Sequence, residues 1–141
     1  MRYYYDGKAK VFKMRGRVHD KIILYNVNYK KHIKIRHPEI DISKIDEILK
    51  EPDFVYKSST NTKIYYYEKE YLDYTYRVVI GSFKKSTKEV ITAYKVNNKN
   101  KLTIKHAYCV YDKETHLEFR AMKRELYDDL DYYYKLFNIA E

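Results

Sequence analysis

Residues 22–27 read Ile22-Ile23-Leu24-Tyr25-Asn26-Val27, a run without charge and rich in β-forming side chains. Such a near-continuous apolar run predicts a central strand, which has neighbours on both sides. A chain that carries one must be organised around a sheet. Residues 10–13 read as the preceding strand, with Arg15-Gly16-Arg17 as the turn between the two. Further strand-like runs lie at 63–68, 75–80 and 89–96, separated by turn residues at Gly81-Ser82 and 84–87. Asn97-Asn98-Lys99-Asn100 is another turn, and residues 102–111 another strand.

Two helices complete the pattern. Ile42, Ile45, Ile48 and Leu49 share one face at helical spacing, with Asp41 or Ser43 as N-cap and Pro52 as the stop. Thr115 and Glu118 have capping-box spacing, and Phe119, Met122, Leu126, Leu130, Tyr133 and Phe137 recur behind them as one stripe. Residues 29–38 fit a helical turn or an extended segment equally well. The expected fold is α+β: a mainly antiparallel sheet of roughly four to six strands, a short helix after the first strands, and a long C-terminal helix.

The 141 residues predict a single domain spanning 1–141. No apolar run reaches the roughly 20 residues of a membrane-spanning helix, and Met1-Arg2-Tyr3-Tyr4-Tyr5-Asp6 lacks the apolar segment of a secretory signal. One cysteine, Cys109, excludes an internal disulfide framework and a multi-cysteine zinc site. A cytoplasmic protein with no membrane partner is expected. The formal charge is +9, with 19 Tyr, 5 Phe and no Trp. Basic charge attracts phosphates and exposed tyrosines stack on unpaired bases, which points to nucleic acid. Lysine and tyrosine also rise together in chains from AT-rich genes, so composition alone leaves the question open.

The densest constellation is His32-Ile33-Lys34-Ile35-Arg36-His37-Pro38-Glu39. His32 and Arg36, four apart, share a face in either a helix or a strand. Pro38 biases His37 away from helix and sets it at a boundary. An imidazole carries protons near neutral pH, and a guanidinium holds a phosphate through two parallel hydrogen bonds. Cleaving RNA without a metal needs these groups: a base for the 2′-hydroxyl, an acid for the leaving 5′-oxygen, and a fixed cation. The same residues would serve equally as a basic surface ahead of a capped helix. On the strand at 89–96, Thr92 and Tyr94 face one side, Ala93 and Lys95 the other. Thr92 has the hydroxyl to meet a phosphate. No cofactor or metal is expected: His106 and Cys109 have no matching second pair, and three glycines do not make a phosphate loop. Cys109, inside an apolar strand, reads as a buried inert thiol.

From Lys21 to Lys95 the order of features, with His32-Ile33-Lys34-Ile35-Arg36-His37-Pro38-Glu39, Pro52-Asp53-Phe54-Val55 and Val90-Ile91-Thr92-Ala93-Tyr94-Lys95, resembles a known group. It is similar to the phage-associated nuclease domains of the barnase/EndoU/colicin/RelE-like (BECR-fold) superfamily. The resemblance implies a nuclease-like core over about 20–97 and leaves 102–141 as a strand-helix extension. It implies a ribonuclease of the kind that serves as a phage or mobile-element toxin, with RNA as substrate and an acidic immunity or antitoxin protein as partner. Catalytic roles would fall on His37, His32, Arg36 and Thr92, and substrate binding on Tyr94, Lys95 and Lys34. The alternatives are a non-catalytic RNA- or DNA-binding module and a phage accessory protein-interaction domain.

Both nucleic-acid readings carry one common expectation. Affinity for single-stranded RNA should fall steeply with salt, by a slope of about 0.7 per phosphate contacted on a log–log plot. Filter binding across rising salt measures it, and a flat response would count against both.

Overall fold

A computed structural model describes residues 1–61, 63–72, 74–84, 86–96 and 107–115. The chain divides into a compact unit over residues 1–111 and a second over 112–141. The first carries β1 (Arg2–Asp6), β2 (Ala9–Met14), β3 (Ile22–Tyr25), α1 (Asn26–Asn28), a π-helical turn (Tyr29–Ile33), α2 (Lys34–Arg36) and α3 (Ile42–Lys50). After these come β4 (Phe54–Ser58), β5 (Tyr65–Glu70), β6 (Thr75–Lys84), β7 (Thr87–Val96) and β8 (Ala107–Asp112). The strands form one eight-stranded sheet in the order β1-β2-β3-β7-β6-β5-β4-β8. The hairpins within β1–β3 and within β4–β7 are antiparallel, and β3 meets β7 in parallel.

That parallel junction is short. It pairs Ile22 with Lys88 and Ile23 with Glu89. Beyond it the chain leaves the sheet at Asn26, and the Asn28 side-chain amide donates to the carbonyls of Val90 (3.1 Å) and Ile91 (3.3 Å). The expected strand through Val27 is therefore corrected to one ending at Tyr25. Asparagine is a poor strand residue whose side chain competes for backbone groups, and here it caps the exposed edge of β7. Residues 29–36 resolve as helical, with Lys34 N–H bonded to the Tyr29 carbonyl.

Helix α3 begins as its spacing predicts, with Asp41 rather than Ser43 as cap: Asp41 Oδ1 accepts from Lys44 N–H at 2.7 Å. Ile45, Ile48 and Leu49 are fully buried, and Ile42 packs half-buried beside them. With Tyr29, Ile33 and Ile40 they cover one sheet face, formed by residues such as Leu24, Tyr67, Val78, Ile80 and Val90. Burying each large aliphatic side chain contributes about 1.5–3 kcal/mol.

Further expectations are corrected. The sheet has eight strands instead of four to six, because β1 and β4 also pair. Gly81 and Ser82 lie inside β6 instead of in a turn. A Cβ at Gly81 would sit 2.8 Å from Ile91 Cδ1, so the glycine permits close strand packing beside a bulge. Cys109 is exposed on β8, the last strand of the sheet, rather than buried. The α+β class with a mainly antiparallel sheet holds, but the helices are short and the expected long C-terminal helix is not among them: among the described residues the longest, α3, has 9 residues. The stripe from Phe119 to Phe137 lies outside the described residues. Where residues 113–115 turn helical, Asp112 rather than Thr115 is the cap, accepting from Glu114 N–H (3.0 Å) and Thr115 N–H (3.3 Å). Among the described residues no helix is long and apolar enough to cross a membrane.

The loop after β2 is pinned onto the sheet through Tyr67. Gly16 lies so close that a Cβ there would be 2.7 Å from the Tyr67 hydroxyl oxygen. That oxygen accepts from Val18 N–H at 3.1 Å and shares a hydrogen bond with His19 Nδ1, 2.8 Å away. The His19 ring also meets Tyr65 edge-on at 4.4 Å. Burial, and after it the Lys88 charge, lower the His19 pKa from 6.5 to about 4. The neutral ring's contribution to stability is thus complete above pH 6.5 and is lost as pH falls through about 4. The urea midpoint should drop across that window. His19→Gln, which still accepts a hydrogen bond but does not titrate, should remove the part of the drop due to this ring. An unchanged pH slope in that variant would exclude the His19–Tyr67 pair as its source.

Candidate active site

Alternation along β6 puts Tyr76, Val78 and Ile80 on the α3 face and Arg77 and Val79 on the opposite one. Register sets Arg77 beside Tyr94 of β7 and Glu68 of β5. Arg77 and Glu68 are buried. Arg77 Nε and Nη2 both donate to Glu68 Oε1, the first at 2.8 Å, and Nη1 donates to the Tyr94 hydroxyl at 2.8 Å. The rings of Tyr66 and Tyr94 lie 5.8 and 5.4 Å from the guanidinium carbon. Burial would lower the arginine pKa, but the Tyr94 hydrogen bond and the Glu68 carboxylate outweigh it and raise it, so Arg77 is a fixed cation.

His37 reaches this group from the end of α2. It leaves the helix at φ −136°, ψ 68°, as a residue before proline does, while its N–H still bonds the Ile33 carbonyl at 2.7 Å. Its half-buried ring lies 6.0 Å from that of Tyr94, tilted by 40°. Its Nδ1 is 4.0 Å from Glu39 Oε1. This is beyond hydrogen-bond reach.

Of the residues expected in the site, the fold thus joins His37 and Tyr94. Thr92 lies half-buried two residues from Tyr94, on the same face and opposite Val79. Lys95 lies on the other face, with its ammonium 3.0 Å from the centre of the Tyr74 ring. His32, Lys34 and Arg36 are exposed on the helical segment, and among the described residues their side chains make no hydrogen bond or ion pair. Arg77, Glu68 and Glu39 were missed. A signal for the first two existed: an arginine within Tyr76-Arg77-Val78-Val79-Ile80 and a glutamate at the end of Tyr65-Tyr66-Tyr67-Glu68 interrupt strands that otherwise bury.

Among the described residues no three His, Cys, Asp or Glu side chains come together to hold a metal ion. Comparison with protein-family models, curated proteins and solved structures finds no match in any of the three.

A buried pair of this kind is most costly to break on one side only. Arg77→Met should destabilise the fold by about 3–5 kcal/mol by leaving Glu68 buried alone. Adding Glu68→Leu should restore most of the loss, as urea unfolding of both variants would show. Additive losses would mean that the two side chains are not coupled.

Proposed function

We propose that the face bearing His37 and Tyr94 binds and cleaves RNA, with no bound metal in the reaction. The observation that carries this reading is the contact of the two rings beside a buried, permanently charged arginine. His37 takes the proton of a 2′-hydroxyl as that oxygen bonds to the adjacent phosphorus. The bond from phosphorus to the 5′-oxygen breaks, a 2′,3′-cyclic phosphate remains, and a second proton carrier protonates the leaving oxygen. His32 is the candidate for that second role. The Tyr94 oxygen accepts from Arg77, so its own proton is directed to a phosphate oxygen, and Thr92 offers another hydroxyl from the same strand face. Arg77 acts through Tyr94 as a positioning residue. Lys34 and Arg36 hold the flanking phosphates.

A cytoplasmic toxin acting on RNA and restrained by an acidic inhibitor fits this reading, with the inhibitor covering Arg36 and His37. A second reading has its own support. Lys30, Lys31, His32, Lys34 and Arg36 are all exposed on one segment that contains no carboxylate, which is enough to bind RNA without cutting it.

Purified protein incubated with RNA in excess chelator separates the two. The parent should cleave and leave cyclic phosphate ends. His37→Ala should lose roughly 10²–10⁴ in rate with its melting temperature nearly unchanged. Arg36→Lys should also be impaired, since an ammonium does not reproduce the guanidinium fork. If the parent binds RNA but does not cut it, the binding module is the correct reading; if His37→Ala cuts like the parent, His37 is not the proton carrier.

A further inference from the structure

Far from His37 on the same sheet face lies a cavity of about 540 Å³, bounded by β1–β3 on one side and by the end of the β6–β7 hairpin on the other. Its size falls within the roughly 300–1,000 Å³ of small-ligand sites. Thr87 at its margin is seven residues along β7 from Tyr94, a span of roughly 23 Å. One nucleotide cannot touch both places.

The lining combines two kinds of side chain. Tyr25 and Phe83 contribute rings whose centres are 6.1 Å apart, tilted by 60°. Lys13, Lys21 and Lys84 contribute exposed ammonium groups. Two acids also line it, and both are engaged: Asp6 accepts from the Tyr25 hydroxyl at 3.2 Å, and Asp20 pairs with Arg15 at 3.4 Å. Among the described residues none of the three lysines is in an ion pair. Lys13 and Lys84 lie instead 5.1 and 5.4 Å from the rings of Tyr4 and Phe83. Unpaired cations beside partly exposed aromatic rings match a ligand that is flat and apolar at one end and anionic at the other.

We propose that this cavity binds a nucleotide: the base stacks on Phe83 and Tyr25, and the phosphate is held by Lys13, Lys21 and Lys84. The nucleotide is either free or part of a strand that also crosses the His37 site. The inference extends the RNA reading to a second place on the molecule, but it concerns binding alone and does not require that His37 carry a proton.

The test uses the full chain and four probes, with binding followed by calorimetry: adenosine 5′-monophosphate, adenosine, inorganic phosphate and a short 2′-O-methyl oligonucleotide that 2′-hydroxyl attack cannot cleave. Phe83→Ala should weaken nucleotide binding roughly five- to hundredfold. Lys13→Gln with Lys84→Gln should lower the salt slope by about 2. The monophosphate has no adjacent phosphodiester and the oligonucleotide no free 2′-hydroxyl, so both report binding without cleavage, and failure of the cleavage reading stays distinct from failure of this one. All these side chains are exposed or partly exposed, and unchanged melting temperatures would confirm that each variant folds. If the monophosphate binds and both cavity variants weaken it, a free nucleotide fits. If only the oligonucleotide is weakened, the occupant is a strand. The proposal is overturned if neither probe responds to the variants. It is equally overturned if inorganic phosphate competes as well as the monophosphate, because the cavity would then be a simple anion site.

Discussion

Two residue pairs join the halves of this sheet. Ile22–Lys88 and Ile23–Glu89 connect the β1–β3 layer to the β4–β7 meander, with one further backbone bond from Lys88 N–H to the Lys21 carbonyl at 2.9 Å. A parallel pairing requires a long crossover, and here the crossover holds every helix among the described residues of the 1–111 unit as well as β4, β5 and β6. Because the pairing stops at Ile23, the edge of β7 beyond it needs another cover, and Asn28 provides one. The helical segment that Asn28 begins then carries His37 to Tyr94. The cavity spans the same junction, taking Lys21 and Tyr25 from one side and Phe83, Lys84 and Thr87 from the other. Both candidate sites therefore depend on how briefly β3 and β7 pair.

The charges divide into two populations. Arg77 is locked by Glu68 and Tyr94, so its charge is a fixed part of the interior. The lysines are mostly on the surface, and many lie over tyrosine rings: Lys44 over Tyr76 at 4.4 Å, Lys10 over Tyr3 at 4.4 Å, Lys13 over Tyr4 at 5.1 Å. Such contacts are modest at exposed sites, about 0.5–1 kcal/mol each, yet they explain how a chain with a charge of +9 holds its cations close to a tyrosine-rich sheet. Tyrosine abundance by itself therefore says little about base stacking, because Tyr29, Tyr67 and Tyr76 are core residues.

Local chemistry determined a definite part of this protein. The start of α3 at Asp41 or Ser43, its buried face, the helical break at Pro38 and the strands along β5, β6 and β7 all follow from spacing within a few residues, where side-chain periodicity and backbone preference act directly. The basic exposed segment around His32 and Arg36 was legible for the same reason. What the sequence left open needed partners distant along the chain. Arg77 meets Glu68 and Tyr94 only through strand register, and register depends on turn geometry and bulges such as those at Val79/Ile80 and Ser82/Lys84. Cys109, in an apolar strand, read as buried, but β8 lies at the sheet's edge and exposes it. Lys13, Tyr25 and Phe83 showed no common purpose in the sequence. Only the tertiary structure decided that they face one cavity, because a sheet brings together whichever residues its strand order makes neighbours, and pairing energies rather than distance along the chain set that order.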